Sequence, residues 1–239
     1  MQFRPCQGDD MKEYKAIFFD RDNTLTHAKE ETKLLRNQLI EKWSGRKLEL
    51  DYYRTMDLFK KSGYPQSGLK TVDEEVQFWK RYYKQLLKDE GIEEDKLDEK
   101  SELIFSKVWL KDRELFPDVL DVLEYLKNNN YKMGVISDTS PSLELTLTSL
   151  GIGRYFDCFI CSDIVGVMKP DPKIYKTALD TLGVKAEESI YVDDYDYDKE
   201  ADGARKLGFT SFHLCRNGEL KDKWDIKSLS EIVDFLKDK

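Results

Sequence analysis

Histidine and cysteine are scarce in this 239-residue chain, and long apolar runs are missing. Four cysteines are too few for a disulfide scaffold at this length. Cys158 and Cys161 form a CxxC, but no second CxxC exists and the only histidines are His27 and His213. A Cys/His zinc site therefore lacks its other half. The pair lies inside the apolar run DCFICSDIVGV, which reads as a buried strand with cysteine acting as a small hydrophobe. Cys6 and Cys215 read as isolated. No stretch approaches the ~18 apolar residues of a membrane helix. The first ten residues, MQFRPCQGDD, lack the apolar run of a secretory signal and read as a leader, with Met11 a second plausible start. Positive charge is also short: 39 Lys+Arg stand against 47 Asp+Glu, a formal charge of −8. DNA, RNA and anionic membrane faces are therefore poor default partners. The expectation is a reduced, cytoplasmic protein.

Five segments read as strands: Tyr14–Phe19, Tyr131–Ile136, Cys158–Cys161, Ser189–Val192 and Phe209–Leu214. Several are nearly continuous apolar runs, as parallel strands covered on both faces require. Helical patterns separate the last four. Val119, Val122, Leu123 and Leu126 keep helical spacing ahead of the second strand. Leu143–Leu150, Ile174–Leu182 and Ala201–Leu207 follow the later strands, each closed by a glycine. The alternation predicts an α/β, Rossmann-like parallel sheet. The exception is the long stretch between the first two strands, where no strand signal is read. Leu35, Leu39 and Trp43 lie four apart there, and Val72, Val76, Trp79, Tyr83 and Leu86 follow 4-3-4-3 spacing behind a Thr71/Glu74 capping box. Leu103, Phe105 and Val108 outline a weaker helix. The reading is an inserted all-helical cap over residues 27–113, with 1–26 and 114–239 forming the α/β core. Such an insertion falls at the carboxyl end of the first strand, where open α/β sheets bind ligands.

The chemistry-bearing residues sit at the strand ends. KAIFF runs into Asp20-Arg-Asp22-Asn-Thr24, two carboxylates that can face one crevice once the backbone turns. Taken alone, a DxD is equally an Asx-turn. SIYVDDYDYD delivers Asp193, Asp194, Asp196 and Asp198 to the same sheet edge. Carboxylates gathered this way repel one another unless a cation is present, and all-oxygen ligands point to Mg²⁺ rather than zinc. YKMGVI leads to Ser137-Asp138-Thr139, a hydroxyl before a helix start and so an anion-binding arrangement or a plain N-cap. GVMKPDPKIY offers Lys169 ahead of Pro170. Each signal is modest, but each stands just beyond a strand.

In that order the residues resemble the four motifs of the haloacid dehalogenase superfamily, over about Tyr14 to Leu214. Asp20-x-Asp22-Asn-Thr24 resembles the first motif, Ser137 the second, Lys169 the third and Asp194-x-x-x-Asp198 the fourth. Two positions depart from the family pattern. Asn23 replaces the usual glycine, a tolerable exchange because asparagine adopts positive φ more readily than most residues. Asp193 stands where glycine is often found, and is expected to support the metal shell.

The resemblance implies a phosphatase working through an aspartyl-phosphate on Asp20. Asp22 would protonate the leaving alcohol and later activate water, a dual role expected to need a raised pKa from crowding by like charges and a closed cap. Mg²⁺ would bind the Asp20 carboxylate, the Asp22 carbonyl and Asp194, with Asp193 and Asp198 in support. Thr24, Ser137 and Asp138 would bind phosphate, and Lys169 would offset its charge. Dehalogenating relatives lack the second aspartate, so Asp22 favours a phosphate ester over a carbon–halogen substrate. A sugar phosphomutase is the alternative; a receiver-like phospho-accepting module or a non-catalytic binder is more distant. The partner expected is a small phosphorylated metabolite. Candidate specificity residues are His27, Arg46, Lys47 and Arg54, with Trp43, Tyr52, Tyr53 and Arg81 further candidate contacts; Trp79, on the apolar stripe, reads as core, and the Arg and Lys residues are equally solvated helix faces. Residues 138–168 between the second and third motifs are too few for a second cap, so one cap would govern access.

Overall fold

The computed structural model describes residues 13–194 and 200–238. All five expected strands are present, each within two residues of its expected ends. They are β1 (Ala16–Phe19), β4 (Lys132–Ser137), β5 (Cys158–Cys161), β6 (Ser189–Asp193) and β7 (Thr210–Leu214). A two-residue strand, β8 (Asp225–Ile226), closes the edge, giving the order β5-β4-β1-β6-β7-β8. All neighbours in this sheet are parallel. The chain builds outward from β1 to β4 and β5, then crosses to β6 on the other side of β1. That reversal is the topological switch point at which open α/β sheets leave a crevice.

Helices cover both faces: α5 (Val119–Asn128), α6 (Leu143–Ser149), the short α7 (Ser162–Val165), α8 (Pro172–Leu182), α9 (Glu200–Lys206) and α10 (Ser230–Lys237). Alternation along the strands divides the core. Ile17, Phe19, Met133, Val135 and Phe212 pack with α5, α6 and α10, while Ala16, Phe18, Ile136 and Tyr191 pack with α8 and α9. Cys161 joins the first cluster and Cys158 the second, so the CxxC thiols lie on opposite faces of the sheet. Burial pushes the Cys158 thiol up to about 12, which makes it inert. Gly134 is where β4 lets its neighbours close in. A Cβ there would stand 2.6 Å from Cys158 Sγ and 2.8 Å from the Phe18 ring. Gly134→Ala is therefore expected to cost about 1–3 kcal/mol from overpacking, read as a lower denaturant midpoint.

The insertion is not purely helical. The chain leaves the core through β2 (Thr26–Ala28) and returns through β3 (Arg113–Leu115), which pair antiparallel. These three-residue strands contain too few residues to show a period, so the sequence reading passed over them. Between them lie α1 (Glu30–Ser44), α2 (Tyr52–Lys61), α3 (Val72–Asp89) and α4 (Leu97–Val108). Thr71 caps α3 as expected, accepting from Glu74 N at 3.1 Å, but the Glu74 carboxylate turns back to Lys70 N rather than to Thr71. The helices share their own core, centred on Ile40, Leu58, Phe78, Tyr82, Leu86 and Ile104. Two stripes need correction. In α1 the buried residues are Thr32 and Ile40, while Leu35 is exposed. In α4 Leu97, Ser101 and Ile104 face inward, while Leu103 is exposed. Each helix buries a narrow face, so exposed leucines misled the periodicity.

Candidate active site

Asp20 follows β1 directly, and its amide donates to Val192 O of β6 at 2.9 Å. Its buried carboxylate meets Lys169, whose Nζ lies 2.9 Å from Asp20 Oδ1, 2.8 Å from Asp193 Oδ2 and 2.5 Å from Glu200 Oε2. The backbone of Lys169 is tied in as well, its N–H donating to Asp138 Oδ1 at 3.0 Å. The Tyr191 hydroxyl donates to Asp193 Oδ2. One ammonium, its side chain 2% exposed, thus serves three carboxylates.

The electrostatics follow from that crowding. Burial pushes the Asp20 carboxyl up to about 7, against the pull of Lys169. Burial and the neighbouring Asp193 push Asp194 to about 6 and Glu200 to about 8. Burial works upward on Asp193 too, but Lys169 and the hydrogen bonds around it prevail and hold Asp193 below its usual range. Burial alone would lower Lys169, yet Asp20, Tyr191, Asp193 and Glu200 raise it well above its ordinary value.

Asn23 takes φ 56°, so the left-handed turn survives without glycine. Its side chain faces Asp194 closely enough to work against the rise in that carboxyl's pKa. Asp22 overturns an expectation. Arg21 grips it with two bonds, Nε to Oδ1 at 2.9 Å and Nη2 to Oδ2 at 2.8 Å, and Arg113 of β3 adds Nη1 to Oδ1 at 3.1 Å. Burial would raise the Asp22 carboxyl, but the two guanidinium groups outweigh it and hold the group below its usual range. Like-charge crowding does not govern this acid in the conformation observed.

Asp20, Asp193 and Asp194 bring three carboxylate oxygens within 4.8 Å of one another. An all-oxygen set with residual negative charge fits a hard divalent cation. Lys169 bonds both Asp20 and Asp193, but Asp193 also accepts from Tyr191, which leaves Asp20 and Asp194 the less encumbered ligands. Asp193 acts here mainly as an anchor for the lysine. Asp196 and Asp198 lie outside the described residues. Ser137 ends β4, buried next to β1, and Asp138 is half-buried just beyond it. Thr24 is fully enclosed, its Oγ1 buried with no hydrogen-bond partner among the described residues.

The cap residues named from sequence are distributed differently. Arg46 and Arg54 both bind Glu90 inside the helical module, and Lys47 is exposed. His27 sits on β2 against the Phe116 ring and Glu114. None of these four lines the cavity of about 180 Å³ between the module and the core. That cavity is walled by Arg21, Arg113, Trp79, Trp109, Thr139 and Ser140, among others. Trp43 packs under Lys100, Tyr52 and Tyr53 are exposed, and Arg81 donates to Ser62 O. The module is fastened to the core by Glu75 of α3. Its buried carboxylate accepts from Ser142 N at 2.7 Å and Ser142 Oγ at 2.9 Å, ahead of α6.

Arg21, Arg113, Tyr191, Glu75 and Glu200 were missed by sequence reasoning. Arg21 stood between the two acids of the first motif and could have been flagged by that position. The others carry no local signal, because their roles depend on pairings across the fold.

A family model for haloacid dehalogenase-like hydrolases matches residues 14–201. A glyceraldehyde 3-phosphate phosphatase of Methanocaldococcus jannaschii is 28% identical over 93% of this chain and 97% of its own length. An (S)-2-haloacid dehalogenase of Burkholderia cepacia is 31% identical, over 53% of this chain and 57% of its own. Among solved structures, a phosphatase from Thermococcus onnurineus superposes with a TM-score of 0.63 at 24% identity, covering 93% of this chain and 97% of the other. A 2-haloacid dehalogenase from Pseudomonas syringae gives 0.67 at 20%, covering 94% and 99%. Identities this low speak for the fold, and the relatives divide between two chemistries.

Proposed function

The chain belongs to the haloacid dehalogenase-like hydrolases, and from that footing we propose that it is a Mg²⁺-dependent phosphatase of a small phosphate monoester. The observation that carries the reading is Asp20 at the switch point, paired at 2.9 Å with buried Lys169 and followed two residues later by a second acid. An alkoxide leaving group needs a proton and a halide does not, so Asp22 favours the ester. A relative named for a three-carbon phosphate points the same way.

In this reading a carboxylate oxygen of Asp20 attacks phosphorus as the bond to the leaving oxygen breaks, and Asp22 gives that oxygen its proton. Asp22, now ionised, takes a proton from the water that attacks the aspartyl-phosphate, freeing Asp20 and inorganic phosphate. Ser137 and the adjoining backbone amide hold phosphate oxygens, while Lys169 holds Asp20 in place and offsets charge. Asp20, Asp194 and the Asp22 carbonyl would hold Mg²⁺, which supplies further charge neutralisation when bound. The clamp on Asp22 suits the water-activating half of the cycle. The protonating half needs the clamp loosened, and Arg113 lies on the ribbon that carries the helical cap, residues 27–113. Cap movement about β2 and β3 therefore controls both access and the state of Asp22.

The test is phosphate release from two- to four-carbon phosphate monoesters, glyceraldehyde 3-phosphate included, beside halide release from 2-haloacids. Phosphate release above that of the Asp20→Asn protein is expected, with no halide. Release no greater than the variant's on every ester would reject the reading. Metal binding should also depend on pH with a definite sign. Asp20 and Asp194, raised to about 7 and about 6, lose ligand character when protonated. Stabilisation of the fold by Mg²⁺ is thus expected to be full near pH 8 and to shrink as pH falls through those values. Thermal melts with and without Mg²⁺ check this, and an equal shift at pH 5 and pH 8 would contradict it.

A further inference from the structure

We propose that His213, Cys215 and Asp225 form a second cation site, built for a borderline-soft divalent ion such as Zn²⁺. The site uses neither side chain of the carboxylate pair Asp20 and Asp194, although Asp194 borders the same cavity, and it does not depend on the phosphatase reading. His213 lies on β7 and Cys215 just past its end, two residues on, so both side chains leave the same side of the sheet. Asp225 opens β8 directly opposite His213 in the parallel register. Isolated in sequence, Cys215 gains two companions from the β7–β8 pairing, which a two-residue strand does not announce.

The three ligand atoms are close enough for one ion to span. Cys215 Sγ lies 3.0 Å and Asp225 Oδ1 3.3 Å from His213 Nδ1, and all three ligand atoms fall within 4.8 Å of one another. Tetrahedral zinc, with bonds of ~2.0–2.1 Å to nitrogen and oxygen and ~2.3 Å to sulfur, sets its ligand atoms about 3.3–3.6 Å apart. The two distances from His213 Nδ1 fall at or just short of that range.

The hydrogen bonds around the cluster orient it in the same sense. His213 Nε2 stands 3.2 Å from the Asp194 carbonyl oxygen, which can only accept, so Nε2 carries the proton. Nδ1 lies on the side of the thiol and the carboxylate. Asp225 Oδ2 accepts from the amides of Lys221 and Asp222 at 2.6 and 3.0 Å, which turns Oδ1 toward the histidine. A carbonyl-held imidazole and an amide-held carboxylate are the supporting contacts that fix metal ligands. The three residues border a cavity of about 540 Å³, large enough for water to complete the coordination.

Ligand chemistry separates the two sites. Thiolate and imidazole select Zn²⁺ over Mg²⁺, whereas carboxylates and carbonyls suit Mg²⁺. The link between them is the His213 ring, which a bound ion would lock against the Asp194 backbone.

The test is a Co²⁺ titration of the full chain in excess Mg²⁺, which occupies the oxygen site, followed by Zn²⁺ competition. One equivalent of Co²⁺ should bind with a thiolate-to-cobalt charge-transfer band, and Zn²⁺ should displace it. Cys215→Ser should abolish the band, and Asp225→Asn should weaken binding at least about tenfold. Cys6→Ser should leave both unchanged. A measurement on the unmodified protein guards against misfolded variants: Zn²⁺ should slow alkylation of Cys215 at least about tenfold, read by peptide mass, and a chelator should restore the rate. No charge-transfer band, a band surviving in Cys215→Ser or lost in Cys6→Ser, or alkylation indifferent to Zn²⁺ would each overturn the site.

Discussion

Asp20→Asn is expected to lower phosphatase turnover at least about ten-thousand-fold while leaving the protein folded. The amide has the shape of the carboxylate but cannot attack phosphorus, and removal of a covalent nucleophile costs catalysis on this scale. Stability should be nearly unchanged for a specific reason. Burial already disfavours charge on Asp20, raising it to about 7, and the asparagine carbonyl still accepts from Lys169. A thermal midpoint within a few degrees of wild type, beside vanished turnover, separates chemistry from folding. Turnover within tenfold of wild type would remove Asp20 from the reaction.

Lys169→Met should act on both. The ammonium is almost fully buried and joins Asp20, Asp193 and Glu200. Its loss leaves three carboxylates without a counter-charge, and removing one partner of a buried ion pair costs about 3–5 kcal/mol. At this chain length each kcal/mol lowers the midpoint by about 2–4 °C. The sign of the pH dependence follows from linkage. Without the lysine, carboxyl groups in the folded state bind protons more tightly than in the unfolded chain. The folded state then holds the excess of protons, so stability falls as pH rises. The midpoint difference between wild type and variant is thus expected to be larger at pH 8 than at pH 5. An equal difference at both pH values would mean that lost packing, not unbalanced charge, sets the cost. Turnover should fall about a hundred- to a thousand-fold, as for other lost charge-stabilising groups.

The division between what could and could not be read from sequence has a physical basis. β1, β4, β5, β6 and β7 were legible because parallel strands buried on both faces leave continuous apolar runs. Their order alone brought Asp20, Ser137, Lys169 and Asp194 to one edge, since acids and hydroxyls past parallel strands share the carboxyl end. Asn23 was correctly read as a substitute for glycine at positive φ. What stayed hidden depends on contacts distant in sequence. Arg113 reaches Asp22 only because β2 and β3 pair, and neither strand has length enough to show alternation. Glu200 completes the Lys169 cage, and His213 meets Asp225, through the same kind of remote pairing. The cationic cap residues were open to either role, substrate ligand or solvated face, and in the fold Arg46 and Arg54 bind buried Glu90. A charge on a helix does not reveal whether its partner is a ligand or the next helix.

The most direct test of the central claim is to trap the phosphoryl group on Asp20. The Asp22→Asn protein slows water attack, and p-nitrophenyl phosphate has a leaving group that needs little protonation. Acid quench of that mixture, borohydride reduction and peptide mass analysis should find homoserine at position 20, the product of reducing an aspartyl-phosphate. Homoserine at another aspartate, or an unmodified position 20 after a stoichiometric burst of p-nitrophenol, would contradict the account.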